Sequence, residues 1–142
     1  MKVAIVSDHR GYELKKYIKK NIKGIDLIDL GTDSNKSVDY PDYAFKLCDY
    51  VKKNKCLGIA ICGSGIGMSI ACNKVKGIRC ARVNSIKDTI ITRKDNDSNV
   101  IALSSELNEN RVIRIIEEFI NTDFSNEDRH IRRINKIDEY ER

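Results

Sequence analysis

Along the chain, short apolar runs alternate with stretches in which apolar residues recur every three or four positions. Lys2 to Ser7 (KVAIVS) is β-rich and mostly apolar and predicts a first strand. Asp8-His9-Arg10-Gly11 follows as a turn. From about Tyr12 to Lys23 the residues Leu14, Tyr17, Ile18 and Ile22 fall at helical spacing, and Gly24 stops the helix. Asp26 to Leu30 predicts a second strand, and Gly31 to Tyr40 a polar loop. Pro41 suits the first position of a helix carrying Ala44, Leu47, Cys48 and Val51. Leu57 to Ile61 predicts a third, buried strand. It delivers Cys62 into a glycine-rich turn (Gly63, Ser64, Gly65, Gly67), and a helix of small residues starts at about Ile66. Arg79 to Val83 and Asn99 to Leu103 predict a fourth and a fifth strand, with a polar helix from about Ile86 to Arg93 between them. Glu109 to Ile120 is amphipathic, with Val112, Ile113, Ile116, Phe119 and Ile120 on one side. A polar connection, Asn121 to Asn126, leads to a tail with Ile131, Ile134 and Ile137 on one stripe.

Strands alternating with helices imply βαβ units and a parallel sheet covered on both faces. The expected fold is α/β: a single doubly wound, Rossmann-like three-layer sandwich with a five-stranded parallel sheet and a C-terminal helical extension. One domain spans residues 1–142. No further strand follows for the last helix (about residues 127–142) to pack behind, so it is expected to lie on a partner subunit. In such folds ligands sit beyond the carboxyl ends of the strands, near a topological switch point. Asp8-His9, Asp39-Tyr40, Cys62 to Gly67 and Asn84-Ser85 all fall there.

With 41% hydrophobic and 33% charged residues, the composition suits a soluble globular protein. The longest apolar stretch is too short to span a bilayer. MKVAIVSDH runs straight into strand-like alternation, without signal-peptide features, so a cytoplasmic location is expected. The five cysteines are odd in number and form neither a C-x-x-C pair nor a zinc spacing with histidine. Reduced thiols are expected, four of them packing as small hydrophobes, with no metal site. The net charge of +5 points to Lys15, Lys16, Lys19, Lys20 and Lys23. These read as the solvated face of the first helix. No nucleic-acid-binding motif accompanies them, so neither nucleic acid nor membrane is an expected partner.

A cysteine ending a buried strand commonly does no more than pack. At Cys62 the glycine turn adds a second reading, because backbone N–H groups at a helix start favour a thiolate and hold negative charge nearby. CGSGIG is neither the G-x-G-x-x-G dinucleotide pattern nor a Walker motif, which closes on Gly-Lys-Ser/Thr. Asp8-His9 reads either as a helix cap or as a polar pair at the end of the first strand. Arg129 and Arg133, one helical turn apart, cost stability unless something negative compensates them, and the guanidinium fork suits phosphate. A solvated face is the alternative.

Taken together, these residues resemble the B-type ribose-5-phosphate isomerases, in the family that includes the galactose-6-phosphate isomerase subunits. The matching motifs are Ser7-Asp8-His9-x-Gly11-Tyr12-x-Leu14-Lys15, Asp29-x-Gly31-Thr32, Asp39-Tyr40-Pro41 and Ile61-Cys62-Gly63-Ser64-Gly65-x-Gly67. Ala71-x-Asn73-Lys74, Gly77-Ile78-Arg79, Asn96-Asp97-x-Asn99-Val100 and Arg129-His130-x-x-Arg133 complete the set, in order along essentially the whole chain.

The resemblance implies an aldose–ketose isomerase interconverting ribose 5-phosphate and ribulose 5-phosphate in the non-oxidative pentose phosphate branch. It implies no metal or organic cofactor, and a homodimer or homotetramer with active sites shared between chains. By position, Cys62 is the base that moves the proton between C2 and C1. The N–H groups of Gly63, Gly65, Ile66 and Gly67, with the Ser64 hydroxyl and the Asn96 amide, hold the enediolate. His9, Arg129 and Arg133 bind the phosphate, some of them across the dimer, and Asp8 and Tyr40 open the furanose ring. One branch of the family has a glutamate in the glycine-turn helix and a small residue for the cysteine. That glutamate position is Met68 here, which places the chain with the cysteine branch.

Two positions depart from the pattern. Asp95 stands where the family usually has the histidine that assists ring opening, and Glu106 where many members have a phosphate-binding arginine. An acidic residue at the first position also occurs in one galactose-6-phosphate isomerase subunit type. Isomerisation of galactose 6-phosphate or allose 6-phosphate is therefore an alternative, and a phosphosugar-binding protein with impaired catalysis is another. The cysteine turn and the Arg-His-x-x-Arg segment in one chain favour the pentose.

Overall fold

The computed structural model describes residues 1–141. In chain order the elements are β1 (Lys2–Ser7), α1 (Tyr12–Asn21), β2 (Asp26–Asp29), α2 (Tyr40–Asn54), β3 (Leu57–Cys62), α3 (Ile66–Cys72), β4 (Cys80–Arg82), α4 (Ile86–Asn96), β5 (Val100–Ser104), α5 (Glu109–Asn121) and α6 (Asp128–Tyr140). The five strands form one parallel sheet in the order β2-β1-β3-β5-β4, as the alternation predicts. Among the described residues, no helix is long and apolar enough to cross a membrane.

Side chains alternate across each strand, and the two faces differ in size. Val3, Ile5, Ile59, Ile61, Ile101 and Leu103 face α1 and α5, where Leu14, Ile18, Ile115, Ile116 and Phe119 meet them. Ala4, Val6, Ala60, Cys62, Val100 and Ala102 face α2 and α3. The smaller residues on this second face suit close docking of two helices against the strands. Each fully buried Ile or Leu contributes about 1.5–3 kcal/mol. Because connections run from β1 outward to β2, and from β3 in the opposite direction, the switch point lies between β1 and β3.

Several boundaries differ from the sequence pattern. β4 is trimmed to three residues at the sheet edge. α4 continues past Arg93 to Asn96, where Asp97 takes a left-handed φ of 46° and ends it. Asp95 and Asn96 therefore sit in the last helical turn. α6 buries His130 and Ile134 in its own chain, and the Glu141 carboxylate accepts from Gly77 N–H at 3.0 Å. Ile131 and Ile137 on the same helix stay partly exposed.

The lysine face needs a larger correction. Lys15 is 1% exposed. Its Nζ donates to Asp29 Oδ1 at 2.7 Å and to the Thr32 carbonyl. Lys19 reaches the other oxygen of Asp29 at 2.8 Å, and that hydrogen bond holds its ammonium above the ordinary value. Lys16 and Lys20 are solvated as expected, while Lys15 links α1 to the end of β2.

Candidate active site

Asp8 leaves β1 with its Oδ1 accepting from the Arg10 and Gly11 N–H groups, both at 3.0 Å, which shapes the turn into α1. His9 Nδ1 accepts from Val38 N–H at 3.2 Å. In the neutral ring the proton is then on Nε2. That bond draws the 31–39 loop over the end of β1, where Ser7 also exchanges backbone bonds with Gly31 and Thr32 at 2.8 and 2.9 Å.

Cys62 ends β3 beside this turn and is buried, at 5% exposure. Its Sγ accepts from Gly65 N–H at 3.1 Å. The carbonyls of the turn point away and are held from behind. Ser105 N–H donates to Cys62 O at 2.9 Å, Ser104 Oγ to Gly63 O at 2.7 Å, and Arg82 Nε to Ser64 O at 2.8 Å. Ser64 Oγ accepts from Ile66 N–H at 3.1 Å. The turn is thus held by its carbonyls, while its Gly65 and Ile66 N–H groups gather on Cys62 Sγ and Ser64 Oγ, the two side-chain atoms a developing anion would meet.

Two side chains lie on the glycines themselves. A β-carbon at Gly63 would sit 2.4 Å from the Arg10 guanidinium carbon, and one at Gly67 2.6 Å from the Tyr40 ring carbon that bears the hydroxyl. Glycine at both places is what lets a cation and a phenol reach the turn. Tyr40 was expected here. Arg10 was not, because a charged residue in a polar turn carries no periodic signal, and its resting place depends on β3.

The remaining cysteines behave differently. The Cys48 thiol is pushed far up by its hydrogen bond with Cys72 and by burial. Cys72 is also raised, by Cys80 and burial, despite the opposing hydrogen bond from Cys48. Burial raises Cys56. These thiols are packing groups.

Asp95, Asn96, Arg129 and Arg133 do not join this cluster within one chain. The Asn96 carbonyl accepts from Arg79 Nε at 2.9 Å, and Arg79 precedes β4 at the end opposite to Cys62. Cys62 is paired with Ser104, the last residue of β5, and Cys80 with Val100, its first. Those four steps of strand amount to about 13 Å. Arg129 pairs with Glu127 at 3.0 Å, and Arg133 is exposed on α6. Asn96 thus does not meet the glycine turn in its own chain. Glu106, following β5, donates its N–H to Ser104 Oγ at 3.1 Å and so lies at the Cys62 end.

The model of the ribose/galactose isomerase family matches residues 3–137. A probable ribose-5-phosphate isomerase B of Mycoplasma genitalium is 43% identical, the match covering 99% of this chain and 95% of that protein. The solved ribose-5-phosphate isomerase B of Clostridium thermocellum superposes with a TM-score of 0.91 at 41% identity, covering 98% of this chain and 96% of the other. The Mycoplasma genitalium structure with bound ribulose 5-phosphate superposes with a TM-score of 0.92 at 42% identity, covering 99% and 95%.

Proposed function

The chain belongs to the ribose/galactose isomerase family and is an aldose–ketose isomerase; from that premise we propose that it interconverts ribose 5-phosphate and ribulose 5-phosphate with Cys62 as the base. The observation that carries this reading is the Cys62 sulfur at the switch point, accepting from Gly65 N–H, with Asp8 bonded through its N–H to the Ile61 carbonyl and Tyr40 resting on Gly67 of the same turn.

In the proposed reaction Asp8, Tyr40 and Asp95 assist opening of the furanose. The Cys62 thiolate takes the proton from C2 and returns it to C1. The negative charge that develops on the enediolate is held by the N–H groups of Gly63, Gly65, Ile66 and Gly67 and by Ser64. His9, Arg129 and Arg133 bind the phosphate. Since Asp95, Asn96, Arg129 and Arg133 lie at the other end of the sheet, a second copy of the chain supplies them. Partly exposed Tyr40, Phe45, Ile66 and Ile70 on α2 and α3, next to the turn, support such an interface.

Comparing kcat/KM of the purified protein on five- and six-carbon phosphosugars tests the substrate. Ribose 5-phosphate is expected to be used best. Equal or better use of galactose 6-phosphate or allose 6-phosphate overturns the pentose reading, and binding without turnover makes the chain a phosphosugar-binding protein.

Arg10 adds a cation at the mouth of the same turn. Arg10→Ala is expected to raise KM for ribose 5-phosphate by about 10- to 100-fold, the worth of one charge-assisted hydrogen bond, with a smaller change in kcat. An unchanged KM in steady-state kinetics removes Arg10 from the site.

A further inference from the structure

His130 lies in the first turn of α6, 7% exposed, and its Nε2 is a buried polar atom without a hydrogen-bond partner among the described residues. Such an atom has lost water without gaining a partner, an arrangement a fold rarely keeps without a use for it. Two carboxylates flank it at 3.3 Å: Asp95 Oδ1 from the last turn of α4, and Glu127 Oε2 from the residue that caps α6. Glu127 is already engaged by Arg129 at 3.0 Å. Asp95 is the freer of the two, with its side chain 43% exposed. The buried imidazole thus lies behind a carboxylate whose outer edge is open to a ligand.

We propose that His130 and Asp95 work as one proton-donating pair in sugar-ring opening, with His130 a positioning residue that supplies Asp95 with its proton. This rests on the reading above, in which Asp95 occupies the ring-opening position. An ionised aspartate only accepts hydrogen bonds and protons. When a His130 imidazolium turns its Nε2–H onto the carboxylate 3.3 Å away, the two share one proton, as imidazolium with carboxylate or imidazole with carboxylic acid, and the second form donates. The proton moves from His130 Nε2 to the Asp95 carboxyl and from there to ring O4 as the C1–O4 bond breaks. The hydrogen on O1 leaves to the Asp8 carboxylate as the C1 carbonyl forms. Proton exchange with water resets both groups. Among the described residues, the two carboxylates facing the imidazole, Asp95 from α4 and Glu127 beside α6, differ in that Glu127 is paired with an arginine and Asp95 is not.

Ribulose 5-phosphate separates ring opening from the later steps, because its C5 oxygen carries the phosphate and cannot close a furanose. Exchange of its C1 hydrogen with deuterium oxide, followed by NMR, reports enediolate formation alone. In His130→Gln, kcat on ribose 5-phosphate is expected to fall about 100-fold, within the range for a lost general acid. The C1 exchange rate is expected to stay within about twofold of wild type. Asp95→His in the His130→Gln background places an imidazole directly at the ring, and recovery of most of the lost turnover is expected. If His130→Gln fails to fold by thermal melting, Asp95→Asn in the otherwise native chain gives the same split. Equal losses in both assays, or undiminished ribose 5-phosphate turnover, overturn the pairing. Wild-type protein that neither exchanges the proton nor turns over ribose 5-phosphate overturns the isomerase reading, and the pairing with it.

Discussion

Cys62→Ala is expected to lower kcat on ribose 5-phosphate by at least about 1,000-fold, while the variant still folds and binds phosphosugar. A positioned base is worth about 100- to 10,000-fold in rate, and Asp8, the carboxylate at the end of β1, is assigned to O1 in ring opening rather than to C2. Asp8 has Oδ1 committed to two backbone N–H groups. Deleting the sulfur at a site 5% exposed costs about 1 kcal/mol of packing, and Gly65 N–H loses its acceptor. Melting temperature should therefore fall by only a few degrees. Coupled assays of isomerisation and calorimetric titration with the phosphosugar separate the two effects. Near-normal kcat in the variant rejects Cys62 as the base, whatever happens to binding.

The largest stability effect is expected at Asp29. Lys15 is buried with an exposure of 1%, and Asp29 is its carboxylate partner. Asp29→Asn leaves an ammonium buried without a counter-charge, a situation that costs about 3–5 kcal/mol. Urea unfolding measures it. The double variant Lys15→Met/Asp29→Asn removes both charges and is expected to recover much of the loss, since replacing a buried pair by apolar volume is often neutral. A single variant as stable as wild type would show that Lys15 finds water on losing Asp29.

The pH dependence follows with its sign. Burial pushes the Asp29 carboxyl up, but hydrogen bonds from Lys15, Lys19 and the Gly31 N–H outweigh it and hold the group below the usual carboxylate range. A depressed carboxyl gives stability that is fully present above the unfolded value of about 4 and is lost as pH falls through the folded one. Wild type should lose this contribution below about pH 4, and Asp29→Asn should lack that part of the acid transition. The same pair holds the loop that carries Val38 to His9, so the single variant should also bind substrate less tightly.

Strand and helix order, the parallel sheet and the place of Cys62 were legible in the chain because they are local. Period 2 and period 3.6 are properties of ten or so neighbouring residues, and alternating them leaves few topologies open. The residues at the strand ends, Asp8, His9, Tyr40 and the glycine turn, follow from that topology alone. The fate of a charged side chain is not local. Lys15 belongs to a run of lysines that looks uniformly solvated, and only the arrival of Asp29 from β2 makes its burial affordable.

The cysteine in its glycine turn was thus determined by sequence, and so were the two arginines on one helical face. Only the tertiary structure decided that these features lie at opposite ends of the sheet in one chain, because α4 runs back from the carboxyl end of β4 and carries Asp95 and Asn96 with it. It also decided that Arg10 rests on Gly63 and that His130 lies buried behind Asp95, contacts between residues far apart along the chain. Periodicity specifies which face of an element is apolar. Which polar groups meet depends on how the elements pack, and that is where the chemistry of this site is set.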